Sequence, residues 1–197
     1  MTTNVANVDS STVGDPTRFR PLTELERAIA GLRSPRDSGR VALIVRRLER
    51  GRRETPDQIT LSVDTGVPGD SWGRMSRRNS EAQIAVMEAG VAELIANGQP
   101  LTLFGDSLFL ELDLSADNLP PGSRIRAGTA VREATPMPHN GCQKFQARFG
   151  QDALRLVWMK ELRHRNLRGI YVRVVESGDV RPGDVVKVVA RVGASPS

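Results

Sequence analysis

The sequence predicts a mainly β domain, a β-barrel with a few helices around it. Short runs rich in β-branched residues recur along the chain, and glycine, proline or asparagine separates one run from the next. From Leu101 onward the hydrophobic pattern shifts toward a period of two, as in strands that bury one face. Hydrophobic residues make up 39% of the 197-residue chain, which is enough for a hydrophobic core.

The first regular element is predicted to be a helix over residues 22–30. Thr23 and Glu26 have the spacing of a capping box, and Gly31 follows as a stop signal. The preceding segment, residues 1–17, is polar and irregular, so we expect it to be disordered.

Strand-like runs come after this helix. Residues 33–40 have the composition of a linker. Residues 41–48 and 58–63 are rich in strand-forming side chains, so each is predicted to be a strand. The glycine-rich segment 64–74 has few apolar residues and is predicted to be an exposed loop.

A second helix is predicted over residues 80–96. Ser80 and Gln83 repeat the capping-box spacing, and Asn97 with the glycine after it provides a stop signal. Met87 lies on the apolar face of this helix, so we expect it in the core rather than at a ligand.

The second half of the chain reads mostly as strands and turns. Residues 101–115 are predicted to form strand, turn and strand, and residues 124–135 two short strands. Two further strands are predicted over residues 169–175 and 184–190. The tail over residues 193–197 is expected to be frayed.

The elements divide the chain into an N-terminal tail with a short helix (1–35), a barrel domain (36–190) and a C-terminal tail (191–197). No apolar run approaches the ~20 residues that a membrane-spanning helix needs. The N-terminus also lacks the basic start and apolar stretch of a secretory signal. We therefore predict a cytoplasmic protein with no membrane partner.

The composition limits the chemistry. A single cysteine excludes an intrachain disulfide, and one cysteine with two histidines cannot complete the usual four-ligand zinc site. The net charge of +5 suits an anionic small ligand or a nucleic acid. Aromatic residues are only 4% of the chain, which argues against a base-stacking platform and hence against nucleic acid as the main partner.

One segment contains the residue types that catalysis or metal binding requires. Two prolines and a His-Asn-Gly turn precede Cys142, which stands where a helical pattern begins. The helix dipole and the nearby Lys144, Arg148 and His139 would favour the thiolate, which is a nucleophile and a soft metal ligand. The alternative is a buried, inert cysteine that packs as a small hydrophobic side chain.

Basic residues are concentrated after the cysteine. Seven lysines and arginines lie between Cys142 and Arg168, against two acidic residues. If several of them converge on one pocket, that pocket would bind phosphate or another anion. Otherwise they form a solvated helix face.

Four blocks of the sequence resemble the MOSC domain family, named after the C-terminal domain of molybdenum cofactor sulfurases. The blocks are GVPGDSWG (66–73), GDSLFLELDLSADNLPPGSRIRAGTAVREAT (105–135), PHNGCQKFQARFGQDALR (138–155) and RGIYVRVVESGDVRPGDVV (168–186). They occur in the order that the family has, and the similarity runs from about Ser38 to Val189.

The resemblance implies a fold related to the β-barrel domain inserted in pyruvate kinase. It also implies binding of the molybdenum cofactor, an anionic pterin, and an association with sulfur transfer. Some small members reduce N-hydroxylated compounds with the bound cofactor. In sulfurases a separate domain binds pyridoxal phosphate; this chain has no room for that domain, so we expect no pyridoxal phosphate site of its own.

The cysteine of the family falls on Cys142, which would ligate molybdenum or carry sulfur as a persulfide. We expect His139 beside it in a catalytic role. Asp70 and Asp106 fall in the two glycine-aspartate blocks, so we expect them to line the pocket. The full set of expected cofactor-binding residues is Lys144, Arg148, Asp70, Asp106, Asn140 and Arg168.

Three functions stay open at the level of sequence. The first is a cofactor-binding MOSC protein that reduces N-hydroxylated substrates or carries sulfur, with a redox or sulfur-donor protein as its partner. The second is a non-catalytic β-barrel that binds an anion or a nucleic acid and has a structural cysteine. The third is a MOSC-like shell without cofactor that acts through a partner protein.

Overall fold

The computed structural model of the chain describes residues 4–9 and 11–193. Twelve strands lie within this part of the chain: β1 (Asn4–Asn7), β2 (Ser38–Ile44), β3 (Arg46–Arg47), β4 (Arg52–Thr55), β5 (Ile59–Leu61), β6 (Ile84–Glu88), β7 (Leu108–Leu110), β8 (Arg124–Ala127), β9 (Ala130–Ala134), β10 (Ile170–Glu176), β11 (Gly178–Val180) and β12 (Val185–Ala190). The α-helices among the described residues are α1 (Leu22–Gly31), α2 (Ala89–Ala96), α3 (Gln143–Phe149) and α4 (Gln151–Trp158).

Seven of the strands close into a barrel in the order β10-β6-β7-β2-β12-β8-β9. Neighbouring barrel strands are antiparallel except β6 and β7, which run parallel with Val86 opposite Leu108. Closure pairs both edges of every barrel strand, which removes the free edges that an open sheet would expose. Two smaller sheets, β1-β4-β3 and β11-β5, complete the fold. The predicted β-barrel with a few helices is confirmed.

Two hydrophobic cores hold the molecule together. The first fills the barrel and includes the inward-facing residues Ile84, Val86, Leu108, Ile125 and Val172. The second lies between the outer face of β6 and β7 and the helices, and includes Leu25, Met87, Ile95, Phe109 and Leu156. The helices therefore cover one side of the barrel and bury their apolar faces against it.

An aromatic cluster anchors α3 to the barrel. Phe104 stacks on Phe149 with ring centroids 4.1 Å apart and contacts Phe145 at 6.0 Å. Its other edge packs on Phe109 of β7 at 5.9 Å. Because aromatic pairs of this kind bury large areas in defined orientations, the N-terminal end of α3 is fixed relative to the sheet.

The predicted helix over residues 80–96 is wrong in its first half. Residues 84–88 form β6, and the helix begins only at Ala89. All five residues of β6 are buried, because its inner face fills the barrel and its outer face lies under the helices. A strand buried on both faces shows no alternation, and its apolar run resembles a buried helix. The prediction that Met87 lies in the core is confirmed, since it is fully buried.

Smaller differences concern the segments before and after β6. Residues 4–7 form a strand rather than a disordered segment; residues 1–3 lie outside the described part. The predicted linker 33–40 already contains the start of β2. Residues 101–115 contain one strand instead of two, since the first strand is replaced by a 3-10 turn over Leu101–Leu103.

The loop 64–74 is less exposed than the sequence predicts. Val67, Asp70 and Trp72 are buried in it, and Asp70 caps a 3-10 turn over Ser71–Arg74. The helix predicted over 22–30 is confirmed as α1, but no capping box closes its start. The Leu22 N–H instead donates to the Asp152 carboxylate of α4 at 3.1 Å.

The other predicted strands are confirmed. Residues 124–135 contain β8 and β9, and the two C-terminal runs correspond to β10 and β12. Most of the C-terminal tail predicted to fray, residues 194–197, lies outside the described residues. The longest helix of the described chain has 10 residues, and none combines the length and the apolar character required to cross a membrane.

Candidate functional site

Cys142 stands at the start of α3, where the sequence predicts a helix to begin. Its backbone carbonyl accepts the Gln146 N–H at 3.0 Å, and its side chain is a free, exposed thiol. The turn before it is packed closely against α4. A Cβ atom at Gly141 would lie 2.7 Å from the Leu154 side chain, and Trp158 Nε1 donates to the Gly141 carbonyl at 3.3 Å. A larger residue at this position would require the Leu154 and Val157 side chains to shift, so glycine allows the turn before the thiol to pack closely on α4.

The thiol opens into a cavity of about 630 Å³, here called the cysteine cavity. Its walls come from the β3–β4 hairpin, the segment around Phe104, α3, and single residues of other segments. Six cationic side chains line it: Arg47, Arg50, Arg53, Lys144, Arg148 and Arg168. Asp9 is the acidic side chain among the lining residues. The cavity is therefore strongly positive and suits an anionic ligand.

Asp106 fixes one of these arginines. Arg168 Nη1 donates to Asp106 Oδ2 at 2.7 Å, and the carboxylate is fully buried. The guanidinium also lies over the Phe145 ring, 5.2 Å from its centroid. A charge-assisted hydrogen bond and a cation–π contact together hold Arg168 in one position at the cavity wall.

Asp70 fixes a second arginine in the same way. Its carboxylate accepts the Arg47 backbone N–H at 2.7 Å and the side-chain Nε and Nη2 at 3.0 and 2.5 Å. Arg47 Nη1 donates onward to the Gly105 carbonyl at 2.9 Å. Burial by itself would raise the pKa of Asp70, but the hydrogen bonds and charge of Arg47 hold it below its ordinary value.

Arg148 and Arg53 have no carboxylate partner within the described residues. Arg148 donates to the carbonyls of Leu103 and Asp9 at 3.0 and 2.6 Å, and burial lowers its pKa although the charges of Cys142 and Asp9 oppose the fall. Burial lowers the pKa of Arg53 to about 10, and the charges of neighbouring arginines contribute. The Nε atoms of both are buried without a hydrogen-bond partner in the described chain.

Four of the residues singled out in the sequence meet at this cavity: Cys142, Lys144, Arg148 and Arg168 line it together. The thiol is exposed, so the alternative of a buried, inert cysteine is wrong.

Asp70 and Asp106 do not line the cavity, contrary to expectation. Both are buried behind the wall and orient Arg47 and Arg168, which do line it. A carboxylate at the surface of this cavity would repel an anion, whereas behind the wall it positions a cation.

His139 and Asn140 lie at a different cavity. The His139 ring packs on Tyr171 with centroids 4.4 Å apart, and its Nδ1 lies 3.5 Å from Asp106 Oδ1. Burial lowers the pKa of His139 to about 3, and the charge of Arg168 adds to the fall while that of Asp106 opposes it. The imidazole is thus neutral at pH 7 and adds no positive charge beside Cys142, which corrects that expectation.

The β3–β4 hairpin was not among the site residues predicted from the sequence. Arg47 lies in the predicted strand 41–48, and Arg50 and Arg53 lie in the charged segment that follows it, yet all three line the cavity. The many arginines between residues 46 and 53 were a signal of an anion site in the sequence. Only the fold places these arginines opposite α3.

The comparisons agree with this fold. The MOSC domain family matches residues 68–187, more than half of the chain. The YuaD protein from Bacillus subtilis is 16% identical with a TM-score of 0.56, and the alignment covers 76% of this chain and 94% of that one. YiiM from Escherichia coli is 19% identical with a TM-score of 0.52, over 79% of this chain and 72% of that one.

At these identities the two structures show similarity of fold alone. No curated protein matches the sequence. The family match extends from the loop that contains Asp70 to β12, and includes Cys142 and Arg168. The family match and the closed barrel together show that the chain belongs to the MOSC domain family.

Proposed function

We propose that the cysteine cavity binds the molybdenum cofactor and that Cys142 is the protein ligand to the metal. The observation that carries the proposal is the position of the Cys142 thiol on the wall of a cavity that six cationic side chains line. A thiolate is a soft ligand suited to this class of metal, and arginine and lysine bind phosphate groups. The MOSC family as a whole is associated with this cofactor.

The residues of the cavity fit such a group. Arg53, Arg148 and Arg168 each have a buried Nε atom without a hydrogen-bond partner in the described chain. Buried donors are normally satisfied, so cationic side chains that line a cavity and have an unpaired nitrogen favour an anion beside them. Among the described residues, no three His, Cys, Asp or Glu side chains are grouped to hold a metal ion. A metal that is already bound by its cofactor and needs only one thiolate from the protein fits that arrangement.

The side chains of the cavity would hold the ligand in a fixed orientation. Arg47 and Arg168 are each anchored by a buried carboxylate, so they need no rearrangement when an anion binds. Phe104, Phe145 and Phe149 form an apolar part of the wall that excludes water from one side. When bound, the cofactor would supply two-electron redox chemistry at molybdenum.

For the loaded protein we propose reduction of N-hydroxylated compounds, with electrons from a redox protein, or transport of sulfur on Cys142. Both need the thiol to be accessible from solvent, and it is exposed. Metal content alone does not separate them. Turnover of an N-hydroxylated substrate with a chemical reductant supports the first, and a persulfide detected on Cys142 by mass spectrometry supports the second.

The test of binding is the molybdenum and pterin content of protein purified from a host that makes the cofactor. We expect both in the wild type and a lower molybdenum content in Cys142→Ser, which keeps the six cationic side chains of the cavity and so retains part of the cofactor. Lys144→Gln should lower the content, whereas Lys187→Gln, on an exposed position of β12 outside the cavity, should not. Molybdenum absent from the wild type, or unchanged in Cys142→Ser, would contradict the proposal.

The unpaired arginine donors also support a second candidate, a non-catalytic anion-binding protein. In that case molybdenum-free protein binds pyrophosphate, Arg148→Gln weakens binding, and Cys142→Ser leaves it unchanged. A nucleic-acid partner would instead give an affinity for duplex DNA that falls steeply with salt. Binding of pyrophosphate together with molybdenum absent from the wild type would favour this second function.

A further inference from the structure

A second cavity, of about 270 Å³, lies against the segment that leads to Cys142. We name it the tryptophan cavity. Its lining residues are Pro138, His139, Asn140, Val157, Trp158, Leu162, Arg163, Asn166, Leu167 and Arg168. Of these, Arg168 alone also lines the cysteine cavity. Its volume equals that of about nine molecules of liquid water, at ~30 Å³ each, which corresponds to a ligand with a single ring.

One wall of the tryptophan cavity is apolar. Val157, Trp158, Leu162 and Leu167 form it, and Trp158 is 49% exposed although it is a large hydrophobic side chain. An exposed indole at the edge of an apolar cavity gains free energy when a ring covers it.

The remaining wall is polar and positive. Arg163 and Arg168 supply charge, Asn140 and Asn166 supply amides, and none of the lining residues is acidic. The neutral His139 completes this wall. An anionic group is therefore favoured here over a cationic one.

Two buried side chains on this wall have unsatisfied donors or acceptors. The His139 side chain is 6% exposed and the Arg168 side chain 9% exposed. Neither His139 Nδ1 nor Arg168 Nε has a hydrogen-bond partner within the described chain. The His139 Nδ1 atom faces the buried Asp106 carboxylate, whereas Arg168 lines the cavity with one guanidinium nitrogen unpaired, and an unpaired cationic donor beside the cavity favours an anionic ligand.

We infer that the tryptophan cavity is a binding site for a small aromatic carboxylate. The ring would lie against Trp158 and Leu162, and the carboxylate would accept hydrogen bonds from the Arg163 and Arg168 side of the cavity. This inference shares Arg168 with the proposed function, but it involves neither molybdenum nor Cys142, and its test uses Trp158 and Arg163, which do not line the cysteine cavity.

The test uses 4-fluorobenzoate as the probe and ¹⁹F NMR as the readout on the full chain as purified. Its neutral analogue, 4-fluorobenzamide, has the same ring and almost the same size. We expect the carboxylate to bind about tenfold more tightly than the amide, as one charge-assisted contact gives. Trp158→Ala should weaken both probes, and Arg163→Gln should remove the preference for the carboxylate.

Two control variants make the result specific. Arg155→Gln, on the same helix as Trp158 but outside the cavity, should leave both affinities unchanged. Lys144→Gln tests whether the probe binds in the cysteine cavity instead. Equal affinity for the two probes, affinities that Trp158→Ala and Arg163→Gln leave unchanged, or loss of binding in Lys144→Gln alone would each overturn the inference.

Discussion

Arg132 provides the sharpest quantitative prediction about the fold. It lies on β9 between Ala130 and Ala134, whose side chains belong to the core inside the barrel. It is fully buried, and all three of its guanidinium nitrogens lack a hydrogen-bond partner in the described chain. A charged group in that position is expected to destabilise the folded state.

The magnitude follows from its pKa. Burial lowers the pKa of Arg132 from its ordinary value to about 10, a fall of between two and three pH units. At 1.36 kcal/mol per pH unit this fall corresponds to about 3 kcal/mol. Between pH 10 and the ordinary pKa of arginine the unfolded chain binds the proton more strongly than the folded chain, so stability rises with pH in that interval. Below pH 10 both states are protonated, and the folded protein carries the full destabilisation at pH 7.

Arg132→Met removes the charge and keeps most of the volume of the side chain. We expect the free energy of unfolding in urea at pH 7 to rise by about 3 kcal/mol, or Tm by about 6–12 °C for a chain of this size. Arg173→Met is the matched control, because Arg173 lies on the adjacent strand β10 and forms an exposed pair with Glu133. Arg173→Met should change the free energy of unfolding by no more than about 1 kcal/mol. An unchanged or lower stability of Arg132→Met would refute the reasoning, since it would require a compensating partner inside the barrel.

Three further predictions concern the site. Asp70→Asn leaves Arg47 without its charged partner and should lower the free energy of unfolding by about 3–5 kcal/mol. The control Asp37→Asn, at an exposed position, should have almost no effect. Equal effects of the two substitutions in urea titrations would contradict the anchoring role of Asp70. The pKa of His139 is lowered in the folded protein, so protonation of the unfolded chain destabilises the wild type as pH falls below 6.5. Relative to His139→Phe, the wild type should lose about 2 kcal/mol of unfolding free energy between pH 6.5 and 5.0. Parallel pH profiles of urea stability for the two proteins would contradict this. Iodoacetamide should modify Cys142 in the native protein, and pyrophosphate should slow the reaction. Modification only after denaturation would show that the thiol is not accessible.

The sequence was sufficient to predict the barrel and the position of Cys142 at the start of a helix. Strands with one buried face, such as β8 and β12, have an alternating pattern that identifies them directly. The turn before Cys142 and the apolar spacing after it predicted the start of α3. Both features are local, so a pattern of a few residues contains the information.

Features that depend on two distant segments were not predictable in this way. The β6 strand is buried by the barrel on one face and by helices on the other, which erases the alternation. Arg47 and Arg53 reach the cavity only because β3 and β4 pair and face α3. The depressed pKa of His139 likewise arises from burial and from Arg168, neither of which its own segment reveals.

Only the structure shows that the two carboxylates orient arginines and that these arginines line the cavity. The glycine-aspartate blocks led to the expectation that Asp70 and Asp106 line the cavity, and neither of them does. Each carboxylate is buried and pairs with an arginine that lines the cysteine cavity. Spacing along the chain does not distinguish a carboxylate that contacts a ligand from one that orients a neighbouring cation.

We propose that the Cys142 sulfur binds the metal of an anionic cofactor held in the cysteine cavity. Molybdenum-edge X-ray absorption of the loaded protein tests it most directly, with Cys142→Ser loaded in the same host as the comparison. If Cys142 is a ligand to the metal, molybdenum has one more sulfur neighbour in the wild type than in Cys142→Ser. Identical sulfur coordination in the two loaded proteins would contradict it.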